Sequence, residues 1–157
     1  MQLIELAREA ARHAHAPYSR FGVGAAVLLG DGSVVSGANV ENASYGLSLC
    51  AETVAIASAS AQGRLGDVVA IGIVGGVIRD GVLVGAEVVR PCGRCRQVIN
   101  EAAQIGGRDI RVHCAGAQGD AVASYLLSEL LPDAFGPADL GVARGDGVLP
   151  LRPTQGF

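Results

Sequence analysis

Lysine and tryptophan are both missing from this chain of 157 residues. Its twelve cations are all arginine and lie scattered, and the formal net charge is −3. No basic stripe is therefore available to follow a phosphate backbone, which argues against a nucleic-acid binder. Charge as a whole is scarce, at 17% against 50% apolar residues. A disordered chain needs the reverse balance. Long apolar runs are missing too. The longest, Val68 to Ile78, is eleven residues with three glycines, and a membrane-spanning helix needs about twenty. Near the N-terminus, Glu5, Arg8 and Glu9 interrupt the apolar pattern, so no signal peptide is read there. The expectation is a soluble cytoplasmic protein acting on a small neutral or cationic molecule. The length suits one domain, able to bury roughly 70% of its unfolded surface.

What is present alternates between helix and strand patterns. Met1 to His15 carries a helical stripe of Leu3, Leu6, Ala7, Ala10, Ala11 and Ala14, closed by Pro17. Phe21–Leu29 and Ser33–Val40 read as strands joined by Gly30-Asp31-Gly32, a hairpin signal because glycine supplies the positive φ of a tight turn. Cys50–Ala61 reads as a helix stopped by Gly63, and Val68–Val74 as a strand covered on both faces. Asp80-Gly81 can turn a second hairpin, with Val82–Val84 returning. Cys92–Gln104 follows as a helix, then Ile110–Cys114 as a strand and Ser124–Leu131 as a helix. The expected fold is α/β, a mixed sheet with helices on both faces. One domain spans residues 1–140, and a Gly- and Pro-rich extension, read as extended or loosely ordered, covers 141–157.

Two short pieces carry the chemistry, Cys50-Ala51-Glu52 and Pro91-Cys92-Gly93-Arg94-Cys95, each at an expected helix start. Cys92 and Cys95 are three apart and share a helical face. Cys50 and Glu52 converge on one site only if Cys50 sits at the non-helical cap. A catalytic zinc takes three protein ligands and leaves one position for water, whereas a structural zinc fills all four. Two helix N-termini favour the thiolates, and Glu52, a carboxylate that is not a ligand, is placed to carry a proton. Alone, the CxxC also reads as a redox pair or a structural half-site. Cys114 could complete a four-cysteine structural site, although its apolar strand favours a buried free thiol with His113 on the opposite face. His13 and His15 read as exposed. Asn39 and Glu41 are two apart at a strand end and share a face, an arrangement suited to a pair of sugar hydroxyls. In a tight pocket a carboxylate there would also repel a phosphate. Without the metal motif, both would read as polar turn residues.

As a set, the chain's motifs resemble the zinc deaminases, whose signature is H-x-E followed by P-C-x-x-C with a non-ligand Glu; Cys50 stands in the histidine's place. The closer resemblance is to the small homotetrameric cytidine deaminases of pyrimidine salvage. It is carried by Pro17-Tyr18-Ser19, Phe21–Ala26, Asn39–Leu47, Pro91–Gln97 and Leu130–Pro137, in order from about residue 3 to 140. The resemblance implies a three-layer α-β-α fold with a mixed five-stranded sheet. It implies one zinc per subunit on Cys50, Cys92 and Cys95, with Glu52 as the catalytic acid and base. Asn39 and Glu41 would hold the ribose, Phe21 would flank the base and sugar, and the Ala51 N–H would hold the base carbonyl. Phe135 would reach into a neighbouring subunit's site in a homotetramer. The implied reaction is hydrolytic deamination of cytidine or 2′-deoxycytidine, with no nucleic-acid or membrane partner.

Several features depart from the family pattern. Thr53 stands where Arg most often follows the Cys-Ala-Glu and helps neutralise the thiolates, a task for which Arg94 or Arg96 is the available substitute. His15 replaces a common Tyr, and the stretch from Glu52 to Cys92 is long, with the extra residues near 76–90. Two alternatives stand beside the main reading. One is a deaminase of a modified cytosine nucleoside or a cytosine-bearing antibiotic, as in the blasticidin-S deaminases. The other is a non-enzymatic structural zinc module.

Overall fold

The glycines and alanines of the first strand decide how the layers assemble. In β1 (Phe21–Leu29) the side chains alternate between two faces. Ala25, Val27 and Leu29 point one way, into the larger core cluster, while Gly22, Gly24 and Ala26 point the other. β3 (Val68–Arg79) repeats the division, with Ile71 and Ile73 on the bulky face and Gly72 and Val74 on the small one. Helix α1 (Gln2–Ala11) lies against the small face through Ile4 and Ala7. A Cβ at Gly24 would run into the α1 backbone at Ala7 and Ala11, and one at Gly72 would sit 2.9 Å from the Leu3 carbonyl oxygen. The bulky face carries α2 (Ala51–Ala61) and α3 (Gly93–Gly106), through Ala55, Ile56, Ile99 and Ala102. These are the three layers, α1, sheet, and α2 with α3, described by a computed structural model for residues 2–142.

The sheet is mixed. Its strand order is β2-β1-β3-β5-β6, with β4 (Val82–Val84) paired to β3 alone. β2 (Val34–Ala38) and β3 each run antiparallel to β1, so they are parallel to each other with β1 between them. Only β3 and β5 (Arg111–Gly116) are parallel neighbours. The unit β3–α3–β5 therefore makes parallel neighbours, whereas β2 and β3, joined through α2, are parallel strands kept apart by β1. Width and layering match the expected five strands with helices on both faces. The fifth strand is β6 (Val122–Leu126), however, which lies in the segment read as a helix over Ser124–Leu131. Helix α4 is only Leu127–Leu130. The open edge of β5 offers β6 a full antiparallel ladder from Arg111↔Leu126 to Ala115↔Val122, a long-range gain that local propensity does not report.

Other boundaries shift by less. Helix α1 ends at Ala11 rather than His15, because the chain turns ahead of Pro17 and His15 bridges to Val40. His13 and His15 are exposed, as expected. The hairpin at Gly30-Asp31-Gly32 forms with Gly32 at φ +87°, and the second hairpin forms at Asp80-Gly81. Gly63, at φ +72°, follows the end of α2. Of the C-terminal extension, residues 143–157 lie outside the described part of the chain.

The first hairpin is tied to the rest of the protein by charge. Arg64 donates to Asp31 and to Asp67 at 2.8 Å each, and Ser33 donates to Asp31 from its backbone N–H and its hydroxyl. The Arg64 and Ser33 bonds hold the Asp31 carboxyl well below the usual aspartate range.

Two outcomes follow from this packing. Gly24→Ala should lower unfolding stability by about 1–3 kcal/mol in urea titration, since the added methyl meets helix backbone and not a movable side chain. Asp31→Asn should lower the thermal midpoint at pH 7. A depressed carboxyl stabilises the fold only while ionised, so the gap to the parent should close as pH falls below about 3.8, the ordinary aspartate value.

Candidate active site and metal centre

Helices α2 and α3 start from adjacent points on the bulky face of the sheet. The Cβ of an alanine at position 37 would come within 2.8 Å of α2 backbone atoms, so Gly37 in β2 lets the start of α2 seat closely. Cys50 is the cap of α2 and Cys92 the cap of α3, both with extended backbone. This is the non-helical placement that lets Cys50 and Glu52 share a site. Cys95 follows in the first turn of α3. The sulfurs of Cys50 and Cys92 are 4.0 Å apart, and all three lie within 4.8 Å of one another. Four thiolates or waters around zinc, at about 2.3 Å from the metal, stand roughly 3.8 Å apart. The donor set therefore fits a tetrahedral zinc with three thiolates and one open position. Among the described residues no other group of His, Cys, Asp or Glu is close enough to hold a metal. Cys114 is a buried free thiol outside the cluster, pushed up to about 11 by burial, as expected of a core cysteine. His113 points to the other face and bonds Ser124 at 2.7 Å.

The electrostatics favour a cation here. Burial raises the Cys95 thiol far above its ordinary value, and the charges of Glu52 and Cys50 add to the shift. Burial also raises Cys50. At Cys92 burial acts in the same direction, but hydrogen bonds from the Cys95 backbone and from the Cys95 and Cys50 side chains outweigh it, and the net shift is downward. Two helix N-termini aim partial positive charge at the same point. Glu52 is only 4% exposed, and burial raises its carboxyl above the ordinary value. A carboxyl so raised next to an open metal position is suited to take up and release a proton.

A cavity of about 320 Å³ opens beside the thiols, lined by Phe21, Asn39, Glu41, Cys50, Ala51 and Glu52 among others. That size suits a small molecule. The structure thus brings together eight of the nine residues singled out in the sequence. Cys95 closes the metal cluster behind the cavity wall. Phe135 does not join them. It is 61% exposed and outside the cavity of its own chain, while its carbonyl accepts from Gln97 and Asn100 on α3. Asn39 is tied to β1, with Oδ1 accepting from the Val23 N–H at 2.8 Å and Nδ2 donating to the Phe21 carbonyl at 3.0 Å. One N–H and one lone pair of the amide remain. Glu41 accepts from the backbone N–H groups of Tyr18 and Ser19, both on Oε2.

Sequence reasoning missed part of the lining, namely Val23, Ser48, Leu49, Val89 and Arg90. Their available signal is adjacency, since Ser48-Leu49 precede Cys50 and Val89-Arg90 precede Pro91-Cys92. Gly75 lies behind this wall, where a Cβ would come within 3.1–3.2 Å of Val89 and Phe21. Of the two arginines suggested to offset the thiolates, Arg94 is exposed and Arg96 is tied to backbone carbonyls. Its guanidinium donates to the carbonyls of Pro91 and Leu130, both at 2.9 Å.

Residues 1–107 match the family model of the cytidine and deoxycytidylate deaminase zinc-binding region. A cytidine deaminase from Halalkalibacterium halodurans is 47% identical over 138 residues, covering 88% of this chain and 95% of that protein. One from Mycobacterium tuberculosis is 44% identical and covers 85% and 87%. Among solved structures, a cytidine deaminase from Burkholderia pseudomallei superimposes with a TM-score of 0.72 at 47% identity, covering 85% of this chain and 97% of that one.

Zinc added to the metal-free protein should release protons, because the thiols must ionise to bind it. Its affinity should therefore fall as pH is lowered. Calorimetry in buffers of different ionisation enthalpy reads both effects. Cys95→Ala should abolish the binding, and Cys114→Ala should leave it intact.

Proposed function

The chain belongs to the cytidine and deoxycytidylate deaminase family, and from that premise we propose that it hydrolyses free cytidine and 2′-deoxycytidine to uridine and 2′-deoxyuridine with release of ammonia. The observation that carries this reading is a three-thiol cluster with an open fourth position beside the buried Glu52. Cys50, Cys92 and Cys95 would hold zinc, which would make a water acidic enough to act as a nucleophile near neutral pH. Glu52 would take a proton from the attacking water and hand it to N3 of the base as the water oxygen bonds to C4. Glu52 then carries the second proton to the amino group as the C4–N bond breaks. One carboxylate serves both steps because it holds each proton only in passing.

The substrate's orientation comes from the cavity walls. Ala51 is the first residue of α2, where backbone N–H groups have no partner within the helix, and its N–H takes the base carbonyl. Phe21 flanks base and sugar. Asn39 and Glu41 hold the ribose hydroxyls with the hydrogen-bonding capacity left over from their backbone ties. The Glu41 carboxylate disfavours a 5′-phosphate, so free nucleosides are preferred. One domain, residues 1–140, contains all of these groups.

The working protein is a homotetramer with shared sites. Supporting this, Tyr45, Leu47, Phe135 and Leu140 leave large apolar surfaces exposed on the single chain. Phe135 packs on the pyrimidine held by a neighbouring subunit. The enzyme acts in the cytoplasm, where thiols stay reduced. Its cysteines are free, and no helix among the described residues is long and apolar enough to cross a membrane.

The deciding experiment follows the loss of cytosine absorbance and the release of ammonia with zinc-loaded protein and each nucleoside. Glu52→Gln should retain zinc and fold while losing at least ~10²-fold in turnover, the low end for general acid–base catalysis. Near-parental turnover in that variant would refute the role of Glu52. No turnover by the parent on either nucleoside would refute the substrate assignment.

A further inference from the structure

The three sulfurs of the metal centre have unequal surroundings. Cys92 is exposed, Cys50 is half-buried and Cys95 is fully enclosed. Water can solvate the first two, but a charged sulfur at Cys95 depends on donors supplied by the protein. One side-chain hydroxyl is within reach, Thr53 Oγ1 at 3.8 Å from Cys95 Sγ. That distance lies within the longer range of hydrogen bonds to sulfur. Thr53 follows Glu52 in the first turn of α2, and Cys95 is in the first turn of α3, so the contact joins the two helix starts.

A threonine in a helix often turns its hydroxyl back to a carbonyl one turn earlier. Here the Thr53 hydroxyl is instead within hydrogen-bonding range of the Cys95 sulfur on the neighbouring helix. Of the two arginines that flank Cys95, Arg94 is exposed and Arg96 is held by the Pro91 and Leu130 carbonyls. We infer that Thr53 is a positioning residue of the metal centre, whose hydroxyl donates to the Cys95 sulfur, fixes the orientation of that ligand and strengthens zinc binding. The inference rests on the reading that Cys50, Cys92 and Cys95 hold zinc. Thr53 moves no proton in the reaction. It acts through Cys95, as groups hydrogen-bonded to metal ligands generally do.

Thr53→Val keeps the shape and removes the donor, and Thr53→Ser keeps the donor. Zinc affinity is read by competition with a chromogenic chelator. The Val variant should bind zinc about 10–100-fold more weakly, and the Ser variant should stay close to the parent. Cobalt(II) gives a second reading. Losing a hydrogen bond raises the energy of the sulfur lone pairs. The thiolate-to-cobalt charge-transfer band should therefore move to longer wavelength in the Val variant and stay in place in the Ser variant. Circular dichroism checks that each variant is folded. If the Val variant does not fold, Thr53→Ala replaces it against Thr53→Ser, and equal zinc affinity in that pair overturns the inference. A zinc-binding parent whose Val variant keeps the parental affinity and band overturns this inference alone. A parent that takes up neither ion overturns the zinc reading as well.

Discussion

The site depends on two helix N-termini being held facing each other across a gap the width of one ion. Each brings a cysteine at its cap, and α3 adds another in its first turn. The same arrangement concentrates partial positive charge from both helices on a point where three thiols would otherwise resist ionisation. It is unfavourable to leave empty and favourable to fill. Burial that raises Cys95 and Cys50 in the metal-free chain becomes, once a divalent cation is present, the low-dielectric setting that strengthens their attraction to it.

Holding the helices there is the work of the sheet. One face carries Val27, Leu29, Ile71, Ile73 and Val112 against α2 and α3. Each such side chain, when fully buried, contributes on the order of 1.5–3 kcal/mol. The other face is stripped to glycine and small residues so that α1 can lie close. The bulky side thus sets the position of the catalytic helices, and the thin side closes the domain without moving them. Asn39 belongs to the same scheme. Its amide clips the end of β2 to β1 at the edge of the cavity, so one side chain both ties the strands and lines the cavity.

Much of this was legible in the residues. The cap placement of Cys50 follows from where the Ala-rich helix pattern begins, and the first hairpin follows from Gly32. The separation of Cys114 from the ligand set follows from its apolar strand. What escaped notice was set by contacts distant in sequence. Val122–Leu126 has helix-compatible residues and becomes a strand because β5 lacks a partner on that side. The placement of β1 between β2 and β3 is a choice of neighbour that local pattern does not encode. Arg96 looked like a counter-charge for thiolates from its position beside Cys95, whereas two carbonyls offered it better geometry. Phe135 is a different case, since its expected partner is another chain.

Four bonds that brace the Cys92–Cys95 segment all run to residues later in the chain. Arg90 donates to the Tyr125 hydroxyl at 2.7 Å, Arg96 reaches the Leu130 carbonyl, and Gln97 and Asn100 hold the Phe135 carbonyl. During synthesis the ligands therefore emerge before their braces. A growing chain that already carries all four cysteines still lacks Tyr125, Leu130 and Phe135. Metal capture with native geometry thus waits for the segment from Tyr125 to Phe135, and a nascent chain that stops short of it would display the three thiols without the frame that holds them in place.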